Sequence, residues 1–110
     1  MYAIEEREKK VNGVEVPTFR RVVAEGNACL DVEAGTTGYT GSDCRNAGGR
    51  TFLRIEWLQG DFLFSPVLNK EGKRVGVVMA GCGDDALNAL MKALGFCLEA
   101  LADQCTEVDD

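Results

Sequence analysis

Strict alternation of apolar and charged residues, in two separate stretches, most constrains what this chain can fold into. The stretches are residues 28–34 and 51–58. Their apolar positions are Leu30, Val32, Leu53, Ile55 and Trp57, and their charged positions are Asp31, Glu33, Arg54 and Glu56. A period of two is typical of a strand with one face on a core and the other towards water. We therefore expect two half-exposed antiparallel strands.

Short turns divide the rest of the chain into further strands. Asn12-Gly13 predicts a tight turn, and residues 14–23, 62–68 and 74–80 read as extended, although Pro17 favours an edge strand or a bulge. Residues 2–10 are either a short edge strand or a frayed arm. Strands joined in sequence by short turns favour an antiparallel meander. We predict one α+β domain over residues 1–110, with about five strands packed on one C-terminal α-helix.

The C-terminal helix carries two apolar flanks. Asp84 or Asp85 is expected to cap it, because carboxylates accept hydrogen bonds from free N–H groups there. At 100° per residue, one broad stripe holds Leu87, Leu90, Met91, Leu94, Leu98 and Leu101, and a second flank holds Ala86, Ala89, Ala93 and Ala100. Small residues permit close approach of another element. That element is either a neighbouring loop or the same helix of a second subunit.

Composition excludes several function classes. The chain has no histidine, so Ser-His-Asp and Cys-His catalytic pairs are absent. Its five cysteines include no C-x-x-C pair, which favours reduced thiols over zinc ligands, and we expect no cofactor and no metal. A net charge of −6 disfavours nucleic acid as a partner, and solubility explains it better than imitation of nucleic acid. No apolar run spans a membrane and no signal peptide is recognisable, so we expect a cytoplasmic protein.

Residues 35–50 form an unusually long glycine-rich connection. Loops of this length in compact domains are commonly functional. Glycine backbone, hydroxyls and arginine together suit an anionic group, which makes these the candidate ligand-binding residues: Thr37, Tyr39, Ser42, Asp43, Arg45 and Arg50. The sequence lacks the phosphate-loop pattern, and a purely structural connector is the competing interpretation. Cys44 has no histidine to activate it, so we expect no catalytic residue.

The order of motifs resembles a group of small proteins. The run G-T-T-G-Y-T-G-S-D at residues 35–43 is followed by G-G-R-T-F at residues 48–52 and then by a Gly- and Asp-containing start to an apolar C-terminal helix. This pattern resembles small uncharacterised proteins of bacterial genomes and mobile elements. The resemblance implies no activity and assigns no functional residue.

Two functional hypotheses follow from these features. The first is a non-enzymatic protein-interaction module, self-associating through its C-terminal helix, with a further protein as a possible partner. The second is a small anionic-ligand binding protein, or a minor enzyme, that uses the loop at residues 35–50.

Overall fold

A computed structural model describes residues 3–38 and 48–106, with side chains described as far as residue 103. Its elements are β1 (Glu5–Val11), β2 (Val14–Glu25), β3 (Ala28–Thr36), β4 (Thr51–Gln59), β5 (Phe62–Leu68), β6 (Arg74–Gly81) and α1 (Asp84–Thr106). The predicted α+β class is confirmed, as are the antiparallel pairing and the C-terminal helix. The strand count differs. The described residues form six strands in two sheets rather than one meander of about five.

The larger sheet has the strand order β1-β2-β3-β4, and every pair is antiparallel. Of the two alternatives for the N-terminal segment, the edge strand is the one observed. Asn12 (φ 48°) and Gly13 (φ 80°) make the tight β1–β2 turn with the left-handed backbone that such hairpins need. Pro17 lies opposite Glu8 of β1, and the pairing of β2 with β3 begins only at Thr18. The proline therefore stands where β2 has a single neighbour, which removes the conflict with its missing N–H.

The β5–β6 hairpin leaves the sheet instead of extending it. Gly60 has a φ of 113°, and a Cβ at this position would lie 2.9 Å from the Cα of Ala28. The chain therefore turns at a residue where only glycine fits, and β5 pairs with β6 alone. The base of the hairpin returns to the body, where Phe62 is buried and the backbone N–H of Cys82 donates to the carbonyl oxygen of Asp61 at 3.0 Å.

The helix packs on the sheet with its alanine flank. Ala86, Ala89, Ala93 and Ala100 are buried, and α1 lies against β3 and β2 of the same chain. The element that approaches these small residues is thus the chain's own sheet, neither a loop nor a second subunit. Four residues of the leucine stripe are instead exposed: Leu87, Met91, Leu94 and Leu98.

The resulting core is narrow because the helix contributes mostly small side chains to it. Leu30, Val32 and Ala34 of β3 meet the buried alanines, with Phe62, Phe96 and Cys97 at its margins. Burial of large apolar side chains contributes most per residue to folding, and that contribution rises with the area removed from water. Here most of the large apolar side chains outside β3 remain in contact with solvent.

Candidate interaction surface

Only two of the six predicted ligand-binding residues lie in the described part of the chain, namely Thr37 and Arg50. Tyr39, Ser42, Asp43 and Arg45 lie outside the described residues, as does Cys44. Thr37 and Arg50 face each other across the two ends of the glycine-rich connection. The N–H of Thr37 donates to the carbonyl oxygen of Arg50 at 2.9 Å, and the N–H of Arg50 donates to the Thr37 hydroxyl at 2.8 Å.

Further hydroxyl contacts join the two ends of the glycine-rich connection. The hydroxyl of Thr36 accepts from the N–H of Gly38 at 3.0 Å and lies 2.9 Å from the hydroxyl of Thr51. The Arg50 guanidinium donates through one terminal nitrogen to the carbonyl oxygen of Gly48 at 2.7 Å. In this geometry the predicted ligand-binding groups Thr37 and Arg50 serve the backbone that closes the loop. Arg54, four residues further along the chain, is engaged away from the loop.

That engagement belongs to a charged layer on the sheet face opposite the helix. Glu33 is 0 % exposed and Asp31 is 6 % exposed, although the alternation in β3 predicted that both face water. Arg54 donates to Asp31 at 2.8 Å and to Glu33 at 3.3 Å, and Arg20 donates through its Nε to Asp31 at 3.0 Å. Thr18 donates to the second oxygen of Glu33 at 2.6 Å. Strand β3 is therefore buried on both faces, and the prediction of a half-exposed strand was wrong for this element.

The acidic and basic groups of the charged layer are paired with one another. Burial of the Asp31 carboxyl opposes its ionisation, but the hydrogen bonds and charges of Arg20 and Arg54 outweigh it and lower the pKa of Asp31. The layer continues outward to Glu5 and Glu56, which pair with Arg20 and Arg54 respectively. Because these carboxylates and guanidinium groups pair with one another, few of their hydrogen-bonding positions are open to a ligand. We therefore interpret the layer as structural.

The orientation of α1 decides where the exposed leucines point. Ala93, which is 0 % exposed, marks the side of the helix on the sheet. Lys92 lies 100° to one side and forms an ion pair with Glu25 of β2. Leu94 lies 100° to the other side, and β4 is on the opposite side of β3 from β2. The leucine stripe therefore turns towards β4.

The strand β4 presents uncovered apolar residues on this same side. The inward partners of Ala34, Val32 and Leu30 are Leu53, Ile55 and Trp57, and residues paired in an antiparallel ladder project from one face. Leu53 is 56 % exposed and Trp57 48 % exposed, because α1 does not extend over them. We call this arrangement the groove: its floor is Leu53, Ile55 and Trp57, and its wall is the leucine stripe of α1.

The β5–β6 hairpin, residues 62–81, carries a third set of exposed apolar side chains, and we call it the arm. Phe62 is buried at its base, and Phe64 and Met79 are partly buried against the body. Other large apolar residues, on both faces of the arm, are exposed: Leu63, Val67, Leu68, Val75, Val77 and Val78. A two-stranded hairpin is at best marginally stable in water on its own, so such an arm requires packing against another surface.

The groove and the arm together expose a large apolar area. A dozen large apolar side chains, each about half exposed, together present on the order of 1,000 Å² over the groove and the two faces of the arm. A stable interface of ordinary size covers about 800 Å² on each partner. The exposed apolar area of this chain is therefore on the scale of a protein–protein interface.

The thiols and carboxylates of the described side chains offer no comparable site. Cys29, Cys82 and Cys97 are free, and burial raises the pKa of both Cys29 and Cys97, with the nearby Asp31 charge adding to the effect on Cys29. Thiols with a raised pKa are poor nucleophiles at neutral pH. Within residues 3–38 and 48–103 no cluster of three or more potential metal ligands occurs. Across the same ranges, no helix is both long enough and apolar enough to cross a bilayer.

Comparison with known protein families, with curated proteins and with solved structures gives no match for this chain. Evidence for function therefore comes from the surface itself. The sequence pattern indicated the leucine stripe but favoured the alanine flank as the one that meets a second subunit. The sequence signal that was missed is the number of large apolar residues in β4 and the hairpin. One helix cannot bury all of them, which indicates an exposed apolar surface.

Proposed function

We propose that this protein is a non-enzymatic protein-interaction module that self-associates through the groove and the arm. One observation carries the proposal: the chain buries alanine on its sheet and exposes leucine, methionine and valine. A helix whose larger apolar residues face outward gains stability when a partner covers them, because each buried methylene contributes about 0.8 kcal/mol.

The two sides of the helix differ in a way that supports one interaction face. On the β2 side, Lys92 pairs with Glu25, and the guanidinium of Arg21 lies 5.9 Å from the ring centre of Phe96. Those contacts place charged groups along that side, where Arg21, Glu25 and Lys92 border a cavity of about 500 Å³. On the β4 side Leu90 and Leu101 pack against the core, and the exposed leucines border the groove. A partner that buries apolar area is thus directed to the β4 side.

The two edges of the larger sheet differ in the same sense. Strand β1 reads Glu-Glu-Arg-Glu-Lys-Lys-Val, and charged residues on an edge strand oppose pairing with another chain. Strand β4 holds two charged residues in nine, and no strand of the described residues pairs with its outer edge. The accessible edge and the apolar groove are therefore adjacent.

Sedimentation equilibrium of the purified chain tests the proposal. We expect a mass above that of one 11.9 kDa chain at micromolar concentration. Leu94→Asp places a charge on the groove wall at a side chain that is 48 % exposed, so it should dissociate the assembly while the far-UV circular dichroism stays that of the wild type. Charged groups left unpaired in a buried interface commonly cost about 2 kcal/mol or more, which is at least ~30-fold in Kd.

Asn88→Asp is the matched control. It adds the same charge to an exposed position of the same helix, on the flank away from the leucines. It should leave the mass unchanged. A wild-type chain that remains monomeric at high micromolar concentration, or equal dissociation by both variants, would contradict the proposed function.

A further inference from the structure

We propose that the arm of one chain lies in the groove of a second copy, and that the second copy returns its own arm, so that the contact is reciprocal. This inference rests on the proposed self-association and specifies its geometry. The groove is incomplete without the arm of the partner, because α1 leaves Leu53 and Trp57 uncovered in its own chain.

The shape of the chain favours exchange over closure on itself. The Cα radius of gyration is 15.9 Å, compared with about 13 Å for a compact domain of this length. Past Phe64, where it leaves the body, the arm continues for about 15 Å to its turn at about 3.3 Å per residue. The distal half of the arm is therefore outside the reach of its own core.

One face of the arm already behaves as a packing face at its base. Phe62, Phe64 and Met79 project from this face, and they contact the core of their own chain. The same face continues outward to Pro66 and Val77, and Val77 is 66 % exposed. A face that is buried at one end and apolar throughout is suited to continue into a second apolar surface.

Opposite net charges on the arm and on the rest of the chain favour a second copy as the occupant of the groove. The arm holds Lys70, Lys73 and Arg74 against Glu71, a net charge of +2, in a chain whose total is −6. The other residues therefore sum to −8. A positive arm tip and a strongly negative body attract one another between two copies, although two whole chains of like charge repel.

The symmetry of this contact limits the assembly to a dimer. Each chain has one arm and one groove, and reciprocal exchange uses both in a two-fold arrangement. Each groove is then occupied, as is the Val77 face of each arm, whereas the opposite face of the arm, with Leu63 and Val78, stays exposed. An arm that passed to a third chain would instead produce an open filament.

Heterodimer rescue between two full-length variants tests the exchange. Val77→Lys places a charge on the arm and leaves the groove intact, whereas Leu94→Asp does the reverse. Each variant alone should sediment as a single 11.9 kDa chain, with Kd raised at least ~30-fold. An equimolar mixture should regain the mass of two chains, because the intact arm of one variant meets the intact groove of the other. In the second contact of that heterodimer the introduced lysine meets the introduced aspartate, so the two new charges offset one another.

Other outcomes overturn the exchange in distinguishable ways. A Val77→Lys chain that still dimerises, beside a monomeric Leu94→Asp chain, removes the arm from the interface but leaves the proposed function standing. Two monomeric variants whose mixture stays monomeric mean that arm meets arm and helix meets helix, which also refutes exchange. A dimeric Leu94→Asp chain refutes both proposals. If Val77→Lys fails to fold, Val75→Lys, at a 59 % exposed position of the same strand, replaces it in the same mixture.

Discussion

Replacing Thr18 by valine should destabilise the protein even though it adds apolar character to a buried site. The hydroxyl of Thr18 donates to Glu33 at 2.6 Å, and both residues are at most 1 % exposed. Valine has nearly the same shape and removes only the donor. One oxygen of a carboxylate that is 0 % exposed then loses its short hydrogen bond.

The magnitude follows from the contacts of Glu33. Its other oxygen accepts from Arg54 at 3.3 and 3.4 Å, which are long hydrogen bonds and cannot compensate. A hydrogen bond to a charged group contributes about 1.5–3 kcal/mol, so we expect Thr18→Val to lower the free energy of unfolding by about 2 kcal/mol. Thr18→Ser keeps the donor and loses one methyl group, at a cost of about 0.8 kcal/mol.

Urea denaturation followed by circular dichroism measures both variants, at one protein concentration because association adds to apparent stability. The ranking decides the result. If the hydrogen bond to Glu33 matters, the free energy of unfolding should be highest for the wild type, lower for Thr18→Ser and lowest for Thr18→Val. If burial of apolar area alone matters, Thr18→Val should be as stable as the wild type or more stable. A Thr18→Val chain as stable as the wild type would refute the structural role assigned to the charged layer.

Two further predictions concern the charged layer and the helix. Because Arg20 and Arg54 lower the pKa of Asp31 in the folded state, this group adds stability above its unfolded value of about 3.9, and that stability is lost as pH falls through the folded pKa. Unfolding measured from about pH 6 to about pH 2.5 should therefore depend less on pH in Asp31→Asn than in the wild type, and equal slopes would contradict this. Ala93→Asp should unfold the chain rather than dissociate it, because Ala93 is 0 % exposed and a carboxylate there is both oversized and desolvated, at a cost of several kcal/mol. A folded monomer by circular dichroism and sedimentation would contradict the packing of the alanine flank.

Much of the fold was predictable because its signals are local. Period-two alternation placed β3 and β4, and Asn12-Gly13 placed the first hairpin turn. The helix start beside Asp84 and Asp85 was also predictable, although Asp85 has an additional role that no local pattern shows. Its carboxylate accepts from the N–H of Asn27 at 3.2 Å, which ties the helix to the β2–β3 turn.

The features that could not be predicted depend on pairing between distant segments. Nothing local distinguishes a fifth strand that joins the sheet from one that turns away at Gly60. The burial of Asp31 and Glu33 was equally hidden, since charged residues alternating with apolar ones normally face water. Arginines at matching positions of β2 and β4, Arg20 and Arg54, were the available signal, but only once the register was known.

The rotation of α1 about its own axis was ambiguous for a physical reason. A rotation of about 100° would exchange the alanine and leucine flanks and would still leave Lys92 in water, so the helical pattern permits both. Contacts at separate points choose the observed rotation: Asp85 with Asn27 at one end, Lys92 with Glu25 in the middle, and the burial of Phe96 and Cys97 beyond it.

In the observed rotation, the two flanks of α1 have different roles. The alanines bring α1 close to β3 and set the fold of the chain, while the leucines, methionine and arm valines contribute little until a partner covers them. Substitutions on the two flanks should then be separable, since sites without shared contacts act independently. Changes in the alanine flank alter unfolding at any protein concentration. Changes at the exposed residues of the leucine stripe, Leu87, Met91, Leu94 and Leu98, alter unfolding only where the chain is concentrated enough to associate, because association stabilises the folded state by mass action.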